Sequence, residues 1–160
     1  MTIALTLQEF LDWENIEYTV LQHPYTISSL STAEAAHIPP HQLAKSVVLV
    51  DDFGFIMVVV PATQHVDIAR LGKMYGRRFQ LANEDEIAEL FYDCEEGAVP
   101  ALGEAYGFDV LVDEALENYS DIYIEGGDHR ALIQVPGNTF HQLMAHAEHG
   151  DFSIHPCHNK

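Results

Sequence analysis

The polarity pattern is clearest in the middle of the chain. "KSVVLVD" (45–51) and "FIMVVVP" (55–61) are apolar at consecutive positions, and "DFG" separates them. Two short apolar runs joined at a glycine predict an antiparallel hairpin. Unbroken apolarity, in place of alternation, predicts a sheet covered on both faces or a closed sheet with a filled interior. Upstream, residues 6–15 read as a helix, with Thr6 and Glu9 as a capping box and Phe10, Leu11 and Ile16 on the apolar side. "YTVLQH" reads as a strand. Ser31 with Glu34 makes a second capping box, opening the helix "STAEAAHI" that Pro39 and Pro40 stop. Downstream, the pattern predicts a helix over 65–75, a strand at "RFQLA", and a helix "EDEIAELF" capped by Asn83 and Glu86. After the irregular stretch "YDCEEGAVPALGEAYG" come strands at "FDVLVDE", "DIYIEGG" and "RALIQV", the last two joined at "GGDH". "TFHQLMAHAEHG" reads as a final helix ended by Gly150, and "DFSIHPCHNK" as a short strand that then frays. Helices interleaved with mostly antiparallel strands make the class α+β, not a doubly wound sheet.

Composition narrows the setting. A chain of 160 residues, 48% apolar, is one domain with a real core. No apolar run approaches the ~20 residues of a membrane helix, and the N-terminus has no basic leader. Cys94 and Cys157 make no disulfide framework, so a reduced, cytoplasmic setting is expected. Twenty-five acidic residues against seven Lys and Arg give a formal charge of −18. Such a surface repels phosphate backbones, which argues against DNA or any general nucleic-acid affinity. Four of the seven cations, Arg70, Lys73, Arg77 and Arg78, fall in "RLGKMYGRR". That patch suits one phosphate-bearing ligand approaching one face, or is simply a solvated helix face.

Three places are odd for pure packing. Lys45 heads a buried strand; a strand-end lysine ordinarily packs its stem and solvates its ammonium. "CEEGAVPALG" carries Gly97 and Gly103, which allow close approaches, and Pro100, which stiffens the loop. Such a loop can present backbone N–H groups to a ligand oxygen, or be an ordinary turn-rich connection. "EGGDHRALI" holds Gly126, Asp128 and His129 where one strand turns into the next. Ten histidines raise the idea of a metal site: His146 and His149 would share a helical face, with His155, Cys157 and His158 as further ligands. Without H-E-x-x-H or paired C-x-x-C, a solvated His-rich terminus is the plainer reading, and no metal or other cofactor is expected. Cys94 sits among Asp93, Glu95 and Glu96, which weakens it as a nucleophile. No G-x-S-x-G elbow or phosphate-binding glycine motif occurs.

In order, these pieces are "TAEAA" on a short helix, "AKSVVLV", a G-x-V-x-x-x-G loop with proline, and a strand ending in Gly followed by His. The ordered set resembles the YbaK / prolyl-tRNA synthetase-associated editing-domain family, the free-standing aminoacyl-tRNA deacylases, from about His23 to Leu143. The resemblance implies a single domain over 1–150 with a mixed, mostly antiparallel, partly closed sheet of about six or seven strands surrounded by helices, then a His-rich tail over 151–160. It implies hydrolysis of the ester joining a wrong amino acid to the tRNA 3′ end, by water activation without a covalent intermediate. Lys45, Gly97 and His129 take catalytic roles, and His23, Thr32, Ser46, Val99, Pro100, Gly103 and Gly126 bind substrate. The mischarged tRNA 3′ end is the expected partner, with an aminoacyl-tRNA synthetase as a second. Many relatives carry a second proline where this chain has Ala101, and an aromatic residue where it has Leu102, which bears on specificity. The alternatives are a small-ligand or regulatory module of the same fold, and a His-rich metal-binding protein. The editing reading expects Lys45, the 97–103 loop and His129 to line one pocket, with the Arg70–Arg78 patch on the same face.

Overall fold

The two apolar runs form the predicted hairpin at the centre of a larger sheet. The computed structural model describes residues 3–154. The strands there are β1 (Thr19–Gln22), β2 (Leu43–Asp51), β3 (Gly54–Pro61), β4 (His65–Val66), β5 (Gln80–Leu81), β6 (Asp109–Asp113), β7 (Asp121–Glu125), β8 (Ala131–Pro136), β9 (Glu148–Gly150) and β10 (Ser153–Ile154). The helices are α1 (Leu5–Trp13), α2 (Ser29–Ala35), α3 (Ile68–Tyr75), α4 (Glu84–Leu90) and α5 (Gly137–Leu143). Eight strands make one mixed sheet in the order β1-β8-β7-β2-β3-β6-β9, with β5 also on β2; β4 and β10 pair separately. β7–β2, β3–β6 and β6–β9 are parallel, and the other pairs are antiparallel. The α+β class therefore holds.

Unbroken apolarity in β3 has the anticipated cause, because both faces of the hairpin are covered. Met57 and Val59 pack with Leu7, Leu11, Phe91 and Ile133 on one face. Val58 and Val60 pack with Leu49, Leu71 and Phe152 on the other. A third cluster lies under α2, where Ala33 meets Leu43 and Leu132. Met57 to Val60 are fully buried, each stabilising the fold by roughly 1.5–3 kcal/mol.

Several local expectations are corrected. α1 begins at Leu5 after Ala4, without a side-chain cap, and the Thr6 amide donates to Asp93 Oδ2 instead (2.8 Å). α2 starts a turn earlier than the Ser31 box implied, with Ser28 as its cap, accepting from the Ser31 amide. The Asn83–Glu86 box is present as expected. The last helix stops at Leu143, and Glu148–Gly150 is a strand beside β6. Gly150 is thus a strand residue, not a helix cap. Asp113 ties the following segment down by accepting from the Phe152 amide (2.9 Å) and the Ser153 hydroxyl (2.8 Å). His155, Cys157 and His158 lie outside the described residues.

Candidate active site

The central strand β2 is not paired along its whole length. β3 lines one edge from Ala44 to Asp51. On the other edge β7 pairs only Leu43 and Ala44, and β5 only Leu49 and Val50. Residues 45–48 therefore face a gap between two strands, with no strand partner on that edge among the described residues. Backbone groups alternate in direction along a strand. The Leu43 carbonyl accepts from Ala62 on the β3 side, and the Val48 carbonyl from Ala82 on the β5 side. The amide and carbonyl of Ser46 thus point into the gap.

A cleft of about 270 Å³ fills this gap, lined by Ser46, Val48, Leu81, Ile87, Gly97 and Val99 among others. The Ser46 hydroxyl donates to the Val99 carbonyl (2.9 Å) and holds the loop over the strand. The amides of Gly97 and Val99 have no hydrogen-bond partner among the described residues. Gly97 is exposed and has φ +82. A Cβ there would lie 3.3 Å from His129 Cε1 and 3.7 Å from the Ile27 carbonyl oxygen. Left-handed backbone and a crowded Cβ position together select glycine.

His129 supports that loop from behind. It is a non-glycine residue with φ +64, and it is 2% exposed. Nε2 donates to the Glu96 carbonyl, so Nε2 carries the proton and Nδ1 is a bare acceptor. The Glu95 amide adds a bond to the Gly127 carbonyl (2.7 Å). Asp128 Oδ1 accepts from the amides of Arg130 and Ala131, both at 2.9 Å, and fixes the β7–β8 turn. Outside, the Tyr25 ring meets His129 edge-on at 5.3 Å. Arg130 lies over the same ring at 5.1 Å.

A buried polar group that sequence reasoning missed stands next to this frame. Glu125 ends β7 at 4% exposure. Its carboxyl bonds the Thr32 hydroxyl, which in turn meets Thr26 Oγ1 at 2.6 Å. Burial, then the nearby Asp128 charge, pushes the Glu125 carboxyl up to about 7, against the opposing pull of Thr32. Its Oε1 has no partner, nor do His129 Nδ1 and His23 Nε2. His23 Nδ1 donates to the Pro24 carbonyl (2.7 Å), so its Nε2 is also a bare acceptor. The signal was available: a glutamate on the same face as Tyr123, directly after the apolar run Ile122, Tyr123 and Ile124.

Lys45 corrects the one-pocket expectation. Side chains alternate across a strand, and Ser46 faces the Gly97 loop, so Lys45 leaves on the opposite face. Its half-buried ammonium donates to the Gln64 carbonyl (2.8 Å), and burial lowers its pKa. The structure brings Ser46, Gly97, Val99 and His129 together, and places Thr32 and His23 behind them with Glu125. It does not bring Gly103 to them. Gly103 lets the loop pass close to β3 and β6: a Cβ would sit 2.9 Å from Val110 Cγ2 and 3.1 Å from Met57 Sδ. Gly103 lines a larger cavity of about 410 Å³ with Phe108, Leu143 and Met144. That cavity is lined by no residue of β2, whereas the smaller cleft adjoins its unpaired edge. Pro100 is buried, and Gly126 packs against the Ala131 carbonyl, which accepts from its amide.

Two of the four cations of the basic patch are held in ion pairs. Arg77 makes a bidentate pair with Asp51, with its second bond at 2.6 Å, between the rings of Phe53 and Phe79. Arg70 pairs with Asp151 (2.7 Å) and Asp67 (3.6 Å). Asp51 is at the far end of β2 from Lys45, about 20 Å along the strand, so Arg77 is remote from Lys45, while α3 packs through Leu71 on Leu49, the same face of β2 as Lys45. His146 and His149 share no helical face either: His149 is in β9, bonding Glu117 (3.0 Å), and His146 bonds Glu104 (3.1 Å). Among the described residues no group of three or more His, Cys, Asp or Glu could hold a metal ion. The Cys94 thiol bonds Asp93 (3.6 Å) and Tyr106 (3.3 Å), and burial, more than its acidic neighbour, pushes it up to about 12. It is a protonated, inert thiol.

The family model of the aminoacyl-tRNA editing domain matches residues 23–143. Among solved structures, a scaffold protein from a study of computational epitope backbone grafting superposes with a TM-score of 0.83 at 23% identity, over 94% of this chain and 97% of that one. A protein described as a candidate trans-editing enzyme for prolyl tRNA synthetase gives 0.80 at 22%, over 96% and 99%. A candidate signal transduction protein from Marinobacter aquaeolei gives 0.79 at 21%, over 96% of this chain but 31% of its own. At these identities the likeness is one of fold. No helix among the described residues is long and apolar enough to cross a membrane.

Proposed function

Because the chain belongs to the aminoacyl-tRNA editing domain family, we propose that it is a trans-editing deacylase, hydrolysing the ester between a wrong amino acid and the tRNA 3′ end. The observation that carries this reading is the cleft at the β2 gap, where Gly97, at φ +82, brings unpaired amides beside those of Ser46. An ester carbonyl oxygen received there meets oriented backbone donors, which stabilise the negative charge that develops when water attacks. Removal of one such donor typically costs ~10²–10³ in rate. His129 positions this loop through the Glu96 carbonyl without touching the ester.

Water is the nucleophile in this scheme. Cys94 is protonated and bonded to Asp93 and Tyr106, and the Ser46 proton is committed to the Val99 carbonyl. The Lys45 ammonium rests on the opposite face, held by the Gln64 carbonyl, and in this scheme leaves that carbonyl and crosses the head of the gap to neutralise the departing 3′ oxygen. Specificity follows from cleft size, because one methylene is worth only ~1–3 kcal/mol in an apolar site. With Arg70 and Arg77 in ion pairs and a net charge of −18, tRNA grip is weak, and action beside a cytoplasmic synthetase supplies it. The same ion pairs favour a second reading, a small-ligand or regulatory module of this fold. A deacylation panel over mischarged tRNAs separates the two. Release of one or a few small amino acids supports editing, and an intact panel at micromolar protein leaves the binding module.

A further inference from the structure

Three buried polar atoms without partners lie at one end of β1, β8 and β7: His23 Nε2, His129 Nδ1 and Glu125 Oε1. The segments are tied together there, since the His23 amide donates to the Arg130 carbonyl (2.9 Å) and the Thr26 amide to the His129 carbonyl (3.3 Å). In the neutral rings both histidine orphans are acceptors, because each other nitrogen donates to a carbonyl, and Glu125 Oε1 is an acceptor when the carboxyl is ionised. The deficit is one-sided: this end of the fold lacks hydrogen-bond donors. A buried acceptor without a donor costs on the order of 1–3 kcal/mol, so such atoms mark a place that a ligand completes.

Glu125 adds the sign of the charge. The charge that acts on it is another carboxylate, Asp128. The cation best placed to pair with it does not. β2 and β7 are parallel with Leu43 opposite Tyr123 and Ala44 opposite Ile124, so Lys45 and Glu125 are the next positions in register and share a face. Yet the Lys45 ammonium reaches to Gln64 on the β3 side. β7 leaves β2 at this point, which opens the gap. Gly97 reaches the same place from the other face, with the Ile27 carbonyl 3.7 Å from its Cβ position. Thr26, next to Ile27, joins Glu125 through Thr32. The segment 24–27, which has no helix or strand, carries exposed Tyr25 and Ile27 over the entrance.

We propose that Glu125 receives the α-ammonium of the amino acid being removed, with the ester lying toward Gly97. The ligand class follows from the chemistry: an ammonium is donor-only and cationic, and the site offers acceptors and a carboxylate. This inference rests on the editing reading for the identity of the amine, but not for the acceptor deficit. It makes the site selective for aminoacyl over N-blocked or hydroxyacyl esters.

The test pairs a residue change with a substrate change. Glu125→Gln keeps shape and removes charge, and the α-hydroxyacyl-tRNA made by deaminating the same aminoacyl-tRNA replaces the ammonium by hydroxyl. The expected result is a loss in kcat/KM on the order of 10²-fold for Glu125→Gln on aminoacyl-tRNA, with wild type and variant within about twofold of each other on the hydroxyacyl substrate. Equal loss on both substrates, or on neither, overturns the assignment while leaving deacylation standing. If wild type hydrolyses no aminoacyl-tRNA, the editing reading fails separately. The assignment is then decided by the ¹³C carboxyl resonance of Glu125 titrated with alaninamide against lactamide. A shift with the amine alone supports it, and no shift, or equal shifts, overturns it.

Discussion

Asp113 and Glu125 are both buried carboxylates at the ends of strands, 2% and 4% exposed, and they differ in what surrounds them. Asp113 accepts from the amides of Ala115 and Phe152 and from the Ser153 hydroxyl. Every bond joins it to its own fold, and the result is a staple that fastens β10 and buries Phe152. Glu125 has one hydroxyl partner, an orphaned oxygen and a carboxyl displaced to about 7. Burial alone therefore does not distinguish a structural acid from a functional one. Satisfaction does: a completed acid stabilises, and an incomplete one waits for a partner.

The largest effect is expected at the Gly97 loop. Gly97→Val should reduce deacylation by 10³-fold or more, because valine resists φ +82 and its side chain meets His129, displacing the backbone donors. Far-ultraviolet circular dichroism should remain that of the parent. A folded variant turning over at the parent rate would remove the backbone-donor role. Lys45→Ala should lower the rate by about 10² with a stability change near 0.5 kcal/mol, and Lys45→Arg should not rescue it, since a planar fork replaces a compact ammonium. Unchanged turnover would return Lys45 to a strand-end lysine packed on Gln64.

The acid pair itself makes the next prediction. Glu125 has a folded-state pKa of about 7 against 4.5 in an unfolded chain, so the folded state binds more protons between those values. Its contribution to stability is therefore fully favourable below pH 4.5 and is lost as pH rises through 7, by roughly 3 kcal/mol in all. Glu125→Gln should remove that loss, making the variant more stable than the parent at pH 8 and equal to it near pH 4. Asp113→Asn should do the reverse, destabilising by roughly 2–3 kcal/mol near neutral pH, since the Phe152 amide loses its acceptor. Denaturant melts at pH 5 and pH 8 decide it. If both variants move stability in one direction at pH 8, the contrast between the two acids fails.

The hairpin, the Asn83 capping box and the loop glycine at 97 were legible because each is a local pattern: consecutive apolar residues, a four-residue cap, a glycine among turn formers. The faces of the site were not. Whether Lys45 or Ser46 looks toward Gly97 depends on the phase of β2, which is set by pairing with β5 and β7, some 35 and 80 residues away. β9 was hidden because Glu148, His149 and Gly150 suit a helix end as well as a strand, and only the open edge of β6 decides. In "IYIEGG" the glycines drew attention and the glutamate before them did not, although its burial is the more unusual fact.

The central claim is that the substrate enters the gap in β2. Amide chemical-shift mapping with an alanyl-adenosine in which an amide replaces the scissile ester tests it most directly. The account predicts shifts at Ser46, Gly97 and Val99, spreading to Glu125. Shifts confined to Phe108, Leu143 and Met144 around the larger cavity, with Ser46 and Gly97 unmoved, would contradict it.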